Sequence, residues 1–182
     1  MRNVPSDSLR IDPVDVPRVT GRLGLCACPG WRHGARAPQL TPYERLQRDI
    51  ESMRSFGASG LVSLIEPREM AALGIDELPR YLDRAGLWWK HLPITDMGIP
   101  DQAFESRWVE DGAAIRDALG RGEHVVMHCW AGLGRTGTLA ARLLIEFGMQ
   151  PEAAILRVRH ARPGAIQTRS QERYVLNAAR RG

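Results

Sequence analysis

The stretch His124-Val125-Val126-Met127-His128-Cys129-Trp130-Ala131-Gly132-Leu133-Gly134-Arg135-Thr136-Gly137, continued by Thr138 to Phe147, decides how this chain is read. His124 to His128 is a short apolar run of the kind that forms a buried strand, and Gly137 to Phe147 has the spacing and length of a helix. The loop between them carries Cys129 at one end and Arg135 at the other, with Gly132 and Gly134 inside. A strand, a glycine-bearing turn and a helix in that order aim several backbone N–H groups at one point, which makes an anion cradle.

The side chains in the cradle match that shape. A helix N-terminus and a neighbouring cation favour a thiolate, so Cys129 is the candidate nucleophile. Arg135 can meet two oxygens of a phosphate with a planar fork, which lysine cannot do. Gly132 and Gly134 let the backbone turn tightly and approach an anion closely. Together with Trp130, Ala131 and Leu133 they form the expected substrate-binding segment.

A second piece of chemistry lies in Pro93-Ile94-Thr95-Asp96-Met97-Gly98-Ile99-Pro100-Asp101, a loop placed directly after an apolar run. When a thiolate attacks a phosphate monoester, the leaving oxygen needs a proton, and a carboxylic acid held over the site supplies it. The resulting carboxylate then activates water to release the phosphate from sulfur. Asp96 is the preferred acid. Asp101 precedes a helical stretch from about residue 102 to 119 and has a ready role as its N-cap.

The rest of the chain alternates between strands and helices. Residues 1–20 contain Pro5, Pro13 and Pro17 without an apolar period and read as an extended or irregular arm. Arg22 to Gly30 gives a short strand stopped by Pro29-Gly30. Cys26 and Cys28 share a face of that strand and read as core thiols; no His/Cys partner cluster completes a metal site around them. A regulatory disulfide with Cys129 is the minor alternative. Trp31 to Gln39 reads as a polar loop, and Thr41-Pro42-Tyr43-Glu44 opens a helix over 42–56 that Gly57 ends.

Gly60 to Ile65 is a buried-strand pattern, Pro67 opens a short helix, and a second helix is expected near Glu77 to Ala85. Gly86 to Leu92 is the next strand, with Trp88 and Trp89 as core and rim. After the central helix, Pro151 begins a helix that ends near Arg162, and a final helix is expected through Ala179. The alternation predicts an α/β fold: a central, mostly parallel sheet of about four or five strands with helices on both faces.

Cys-x5-Arg followed by Thr136-Gly137, preceded by His128 and a strand, resembles the signature of cysteine-dependent protein tyrosine and dual-specificity phosphatases. Leu23 to Ala27, Pro93 to Asp101, His128 to Thr136 and Gly164-Ala165-Ile166-Gln167-Thr168 further resemble the kinase-associated phosphatase family, the cyclin-dependent kinase inhibitor 3-like group. The resemblance runs over most of the chain and implies a single-domain phosphatase fold over 21–182, with 1–20 as an N-terminal arm. It implies Cys129 as nucleophile, Arg135 as phosphate ligand and Asp96 as general acid. Thr136 then assists departure of the thiolate, and His128 orients the loop and supports the thiolate, or else is a satisfied core histidine. Gln167 and Gln171 are candidates to orient the hydrolytic water; surface or capping roles are the alternative for each.

Composition bounds the remainder. The 182 residues are enough for one domain of roughly 150 with a short extension. Hydrophobic residues at 43% and charged ones at 25% are ordinary for a globular chain. Met1 to Arg10 has no apolar core for a signal peptide, no run reaches membrane-span length, and three cysteines make no disulfide framework. A cytoplasmic monomer is expected, with no membrane partner, metal or cofactor.

The formal charge of +4 is uneven: residues 121–182 carry 10 Lys+Arg against 4 Asp+Glu, so the positive excess lies with the cradle and steers phosphorylated substrates. No basic patch interleaved with aromatics points to nucleic acid. Phosphoinositide phosphatases carry lysines inside the loop, and RNA triphosphatases generally do without the acid. Trp130, Ala131 and Leu133, together with Asp96, therefore favour a phosphoprotein substrate. A phosphoprotein-binding module that has lost turnover is the reading from another class, against which Cys129, Asp96 and Arg135 all stand.

Overall fold

The computed structural model describes residues 8–31 and 40–178. The stretch 32–39, expected as loop, lies outside the described residues, as do the first seven residues of the arm and Ala179. Five strands form one sheet: β1 (Asp12–Asp15), β2 (Arg22–Cys26), β3 (Ala58–Ser63), β4 (Trp88–His91) and β5 (His124–His128), in the order β1-β2-β5-β3-β4. β1 runs antiparallel to β2, and every other pairing is parallel. The expected mostly parallel sheet is therefore the observed one.

Seven helices among the described residues flank it: α1 (Pro42–Phe56), α2 (Pro67–Leu73), α3 (Leu78–Arg84), α4 (Gln102–Gly120), α5 (Gly134–Glu146), α6 (Pro151–Ala161) and α7 (Arg169–Leu176). α1 starts where its signals place it, since the Thr41 hydroxyl accepts from Glu44 N–H at 3.2 Å and the Glu44 carboxylate accepts from Thr41 N–H at 2.7 Å. α4 starts on Asp101, whose carboxylate accepts from Phe104 N–H at 2.8 Å. α5 packs against β2 and β5 and carries α6 and α7 on its other side, while α1 packs with α3 against β3.

Parallel pairing puts the C-terminal ends of β2, β3, β4 and β5 along one edge of the sheet. β5 is central and buried through Val125, Val126 and Met127, and its last residue, His128, lies between Cys26 of β2 and Ser63 of β3. The segments that follow β3, β4 and β5 at that edge carry Glu69, in the first turn of α2, and Asp96 and Cys129, on loops. A crevice at the carboxyl ends of parallel strands is where α/β sheets place their sites.

Three elements differ from the sequence expectation. The stretch expected as an irregular arm contributes β1 to the sheet. Proline cannot donate to a ladder, which argues against a strand in general, but β1 is an edge strand, where Pro13 is tolerated. α5 begins at Gly134 instead of Gly137, so Arg135 and Thr136 lie in its first turn. α7 stops at Leu176, short of Ala179.

Candidate active site

Cys129 follows β5 directly and is 3% exposed. The next residues are shaped by where their carbonyls go. The Cys129 carbonyl faces His128 Nδ1 at 3.0 Å, and the Trp130 carbonyl accepts from Cys28 N–H at 2.9 Å. The Ala131 and Gly132 carbonyls accept from Arg162 Nη2 and Nε, at 2.9 and 2.6 Å. In a trans peptide the C=O and the following N–H point opposite ways. Four successive carbonyls held outward therefore turn the N–H groups of Trp130, Ala131, Gly132 and Leu133 inward.

Gly132 has φ 71°, and a Cβ there would lie 2.0 Å from the Cys26 carbonyl oxygen, so the loop seats itself on the end of β2 only with glycine. Leu133, the N-cap of α5, makes no side-chain cap bond, so that residue's side chain leaves the first-turn amides to another acceptor.

Arg135 is 2% exposed and held from behind. Its Nη1 and Nη2 donate to the two carboxylate oxygens of Glu69 at 2.6 and 2.9 Å, and Nη1 also donates to the Ile94 carbonyl at 3.1 Å. With the end-on fork on Glu69, the fork left for an anion is the Nε–Nη2 edge. Nη2 also meets Asp96 Oδ1 at 3.0 Å. Burial alone pushes the Glu69 carboxyl up, but hydrogen bonds from Arg135 and the Glu66 backbone outweigh it and hold it below its ordinary value. Burial likewise lowers Arg135, and Glu69, Cys129 and Asp96 more than offset this, so its pKa is raised. The guanidinium stays charged at any working pH.

The two carboxylates of the β4–α4 loop have separated. Asp101 is consumed as the α4 cap, whereas the Asp96 side chain is 62% exposed and reaches Arg135. A turn closed by Gly98 N–H to the Thr95 carbonyl, at 2.9 Å, carries Asp96. Gln171 braces that turn from α7: its Nε2 donates to the Gly98 carbonyl at 3.0 Å, and its Oε1 accepts from Gln167 N–H and Thr168 N–H at 3.0 and 3.2 Å. Gln171 is fully buried in this brace. Gln167 is exposed, with Oε1 against Gly134 at the mouth of the cradle, 2.7 Å from where a Cβ would stand.

His128 is fully buried, and burial pushes its pKa down to about 4, so the ring is neutral. Its bonds go to Ser63 Oγ, at 2.6 Å, and to the Cys129 carbonyl, so these contacts support the loop backbone. Thr136 is fully buried, and its hydroxyl has no hydrogen-bond partner. Cys26 and Cys28 are buried free thiols, both raised by desolvation, and among the described residues no His/Cys/Asp/Glu group is arranged to hold a metal.

Sequence reasoning brought together Cys129, Arg135 and Asp96. It missed Glu69, Arg162 and Ser63. Glu69 sits in a short helix with a capping-box partner, and its Oε2 accepts from Glu66 N–H at 2.7 Å, so its local signal is fully explained by capping. Arg162 was visible only as the end of α6.

Backbone amides and a fixed guanidinium converging on one thiol at the carboxyl end of a parallel strand are the hallmark of the cysteine-dependent phosphatases. Comparisons with known proteins agree. The family described as Tc-R-P, "Polymorphic toxin system, DSP-PTPase phosphatase", matches residues 36–149. Human cyclin-dependent kinase inhibitor 3 is 31% identical over 156 residues, covering 84% of this chain and 69% of that protein. The PRL-1 phosphatase of Drosophila melanogaster is 36% identical over 122 residues, covering 66% of this chain and 63% of that protein.

The crystal structure of kinase associated phosphatase with its catalytic-site cysteine changed to serine superposes with a TM-score of 0.80 at 28% identity, covering 96% of each chain. That of PTPMT1, with a TM-score of 0.68 at 20% identity and 94% of each chain covered, shares the fold. The chain belongs to the DSP-PTPase phosphatase family. It is a cysteine-dependent protein phosphatase of the tyrosine and dual-specificity class, acting on phosphoproteins.

Proposed function

We propose that Cys129 and Asp96 carry the reaction in two steps. The Cys129 thiolate attacks phosphorus in line, forming the S–P bond as the P–O bond to the protein side chain breaks, and Asp96 in its acid form gives its proton to the leaving oxygen. The inward amides of residues 130–133 and the Nε–Nη2 edge of Arg135 hold the equatorial oxygens where charge develops. In the second step the Asp96 carboxylate takes a proton from water, which attacks phosphorus and releases Cys129. Thr136, whose buried hydroxyl is unpartnered, donates a hydrogen bond to the departing thiolate. Gln167, at the mouth of the cradle, is the better placed of the two glutamines to orient that water.

The observation that carries this reading is the meeting of Asp96 with Arg135 at 3.0 Å. A loop without lysine between Cys129 and Arg135 supports protein over polyphosphorylated lipid substrates. We read residues 21–182 as the phosphatase domain and 1–20 as an arm that lends β1 to its sheet, working as a cytoplasmic monomer. The three free cysteines fit a reducing setting, and no helix among the described residues is long and apolar enough to cross a membrane.

The test is Cys129→Ser with p-nitrophenyl phosphate and a phosphopeptide. Turnover falls by roughly 10⁴-fold or more while vanadate still binds. Turnover retained in that variant overturns the assignment of the nucleophile.

A further inference from the structure

We propose that Ser63 and Trp89 are positioning residues for the phosphate cradle, acting by holding the ring of His128. The inference rests on Cys129 being the nucleophile, and goes beyond it to the cradle's supports.

The groups form one hydrogen-bonded chain across three strands. Trp89 Nε1 of β4 lies 2.8 Å from Ser63 Oγ of β3, Ser63 Oγ lies 2.6 Å from His128 Nε2 of β5, and His128 Nδ1 lies 3.0 Å from the Cys129 carbonyl oxygen. The two ends have no choice of role: an indole N–H only donates and a carbonyl oxygen only accepts. Nδ1 must therefore carry the hydrogen. In a ring kept neutral by burial, Nε2 is then a bare acceptor. Ser63 must donate its hydroxyl hydrogen to Nε2 and accept from Trp89. Ser63 and His128 are fully buried, so water does not offer a substitute partner.

The indole is held in turn. It stacks on the His91 ring at 5.2 Å and 18°, and His91 Nε2 lies 2.8 Å from the Ile65 carbonyl.

The direction of this chain decides what the cradle presents. With Nδ1–H on the Cys129 carbonyl, that carbonyl is held outward and the N–H of Trp130 points inward. Without the Ser63 hydroxyl, the Nε2 lone pair is buried without a donor and the ring is no longer held square to the Cys129 carbonyl. A ring free to tilt lets the Cys129–Trp130 peptide turn and withdraws the first amide of the cradle. Trp89, on an edge strand, thus bears on the site through hydrogen bonds alone.

The experiment reads the tautomer of His128 by long-range ¹H–¹⁵N spectra of the full chain labelled at histidine, beside steady-state kinetics. The wild-type protein shows Nδ1–H. Ser63→Ala keeps Nδ1–H but moves the Nε2 resonance toward that of a lone pair without a donor, lowers kcat for p-nitrophenyl phosphate about tenfold and weakens vanadate inhibition about tenfold. Ser63→Thr, which keeps a hydroxyl, stays within about twofold of wild type, and Trp89→Phe falls between. An Nε2–H ring in the wild type overturns the proposal, and so does a Ser63→Thr variant as impaired as Ser63→Ala. Should Ser63→Ala not fold, the wild-type spectrum still decides. Because the tautomer is read without substrate, failure here is distinct from failure of the residue roles above, which Cys129→Ser judges.

Discussion

The loop after β5 and the loop after β4 meet over Arg135, yet they are held in opposite ways. From Cys129 to Gly132 every carbonyl has a donor, and the three residues that supply them are His128 at the end of β5, with Ser63 behind it, Cys28 just past β2, and Arg162 at the end of α6. The acid loop is tied through its Thr95–Gly98 turn and the Gln171 brace. At its tip Asp96 is mostly exposed, Met97 takes φ 57° and is 50% exposed, and Ile99 is 39% exposed. The difference matches the work proposed for each side. Oxyanion stabilisation depends on dipoles that do not reorganise during reaction. A proton donor must let substrate enter and product leave, and a loop with an exposed tip can move to do so.

Breaking the fixed side has the largest effect. Arg135→Lys removes the planar fork from both Glu69 and the phosphate, and lowers kcat/KM roughly 10³-fold in assays with p-nitrophenyl phosphate. Next comes the pH dependence of stability set by His128. Its folded pKa of about 4 lies below the unfolded 6.5, so between these values the unfolded chain binds the extra proton. This contribution is complete above pH 6.5, falls as pH drops toward 4, and amounts to roughly 3 kcal/mol. Urea unfolding at several pH values should show this slope in the wild type, and His128→Gln should lack it.

Breaking the exposed side costs less and depends on the substrate. Asp96→Asn lowers kcat/KM, which reports the first step alone, about 10²-fold for a phosphate ester with a poor leaving group and far less for p-nitrophenyl phosphate, whose oxygen leaves without a proton. Asp101→Asn, by contrast, leaves kcat unchanged, since asparagine caps a helix about as well. Equal losses in the two variants would contradict the separation of roles. The smallest effect belongs to the outer clamp. Arg162→Met releases the Ala131 and Gly132 carbonyls and the Asp12 carboxylate that Arg162 meets at 2.7 Å, and vanadate inhibition should weaken about tenfold.

How much of this was legible beforehand follows from the range of each signal. Thr41 with Glu44, Asp101 before α4 and Gly57 after α1 act over a few residues, and their helices lie where they were expected. β1 was obscured because Pro13 and two aspartates interrupt its pattern. The burial of Asp12 makes sense only beside Arg10 and Arg162, at 2.7 Å each. The start of α5 was placed late because a helix that opens on a cradle has no side-chain cap to announce it.

Taken alone, the sequence determined the chemistry of the central loop: a thiol, an arginine and two glycines between a strand and a helix, with an acid on a loop upstream. These are properties of residue type and short spacing. Tertiary structure decided everything that depends on a partner far along the chain. Glu69 holds Arg135 across 66 positions, Ser63 meets His128 across 65, and Arg162 reaches Gly132 across 30. No local pattern marks such pairs, because a side chain's burial and hydrogen bonds are settled only when the strands align and their carboxyl ends come to one edge.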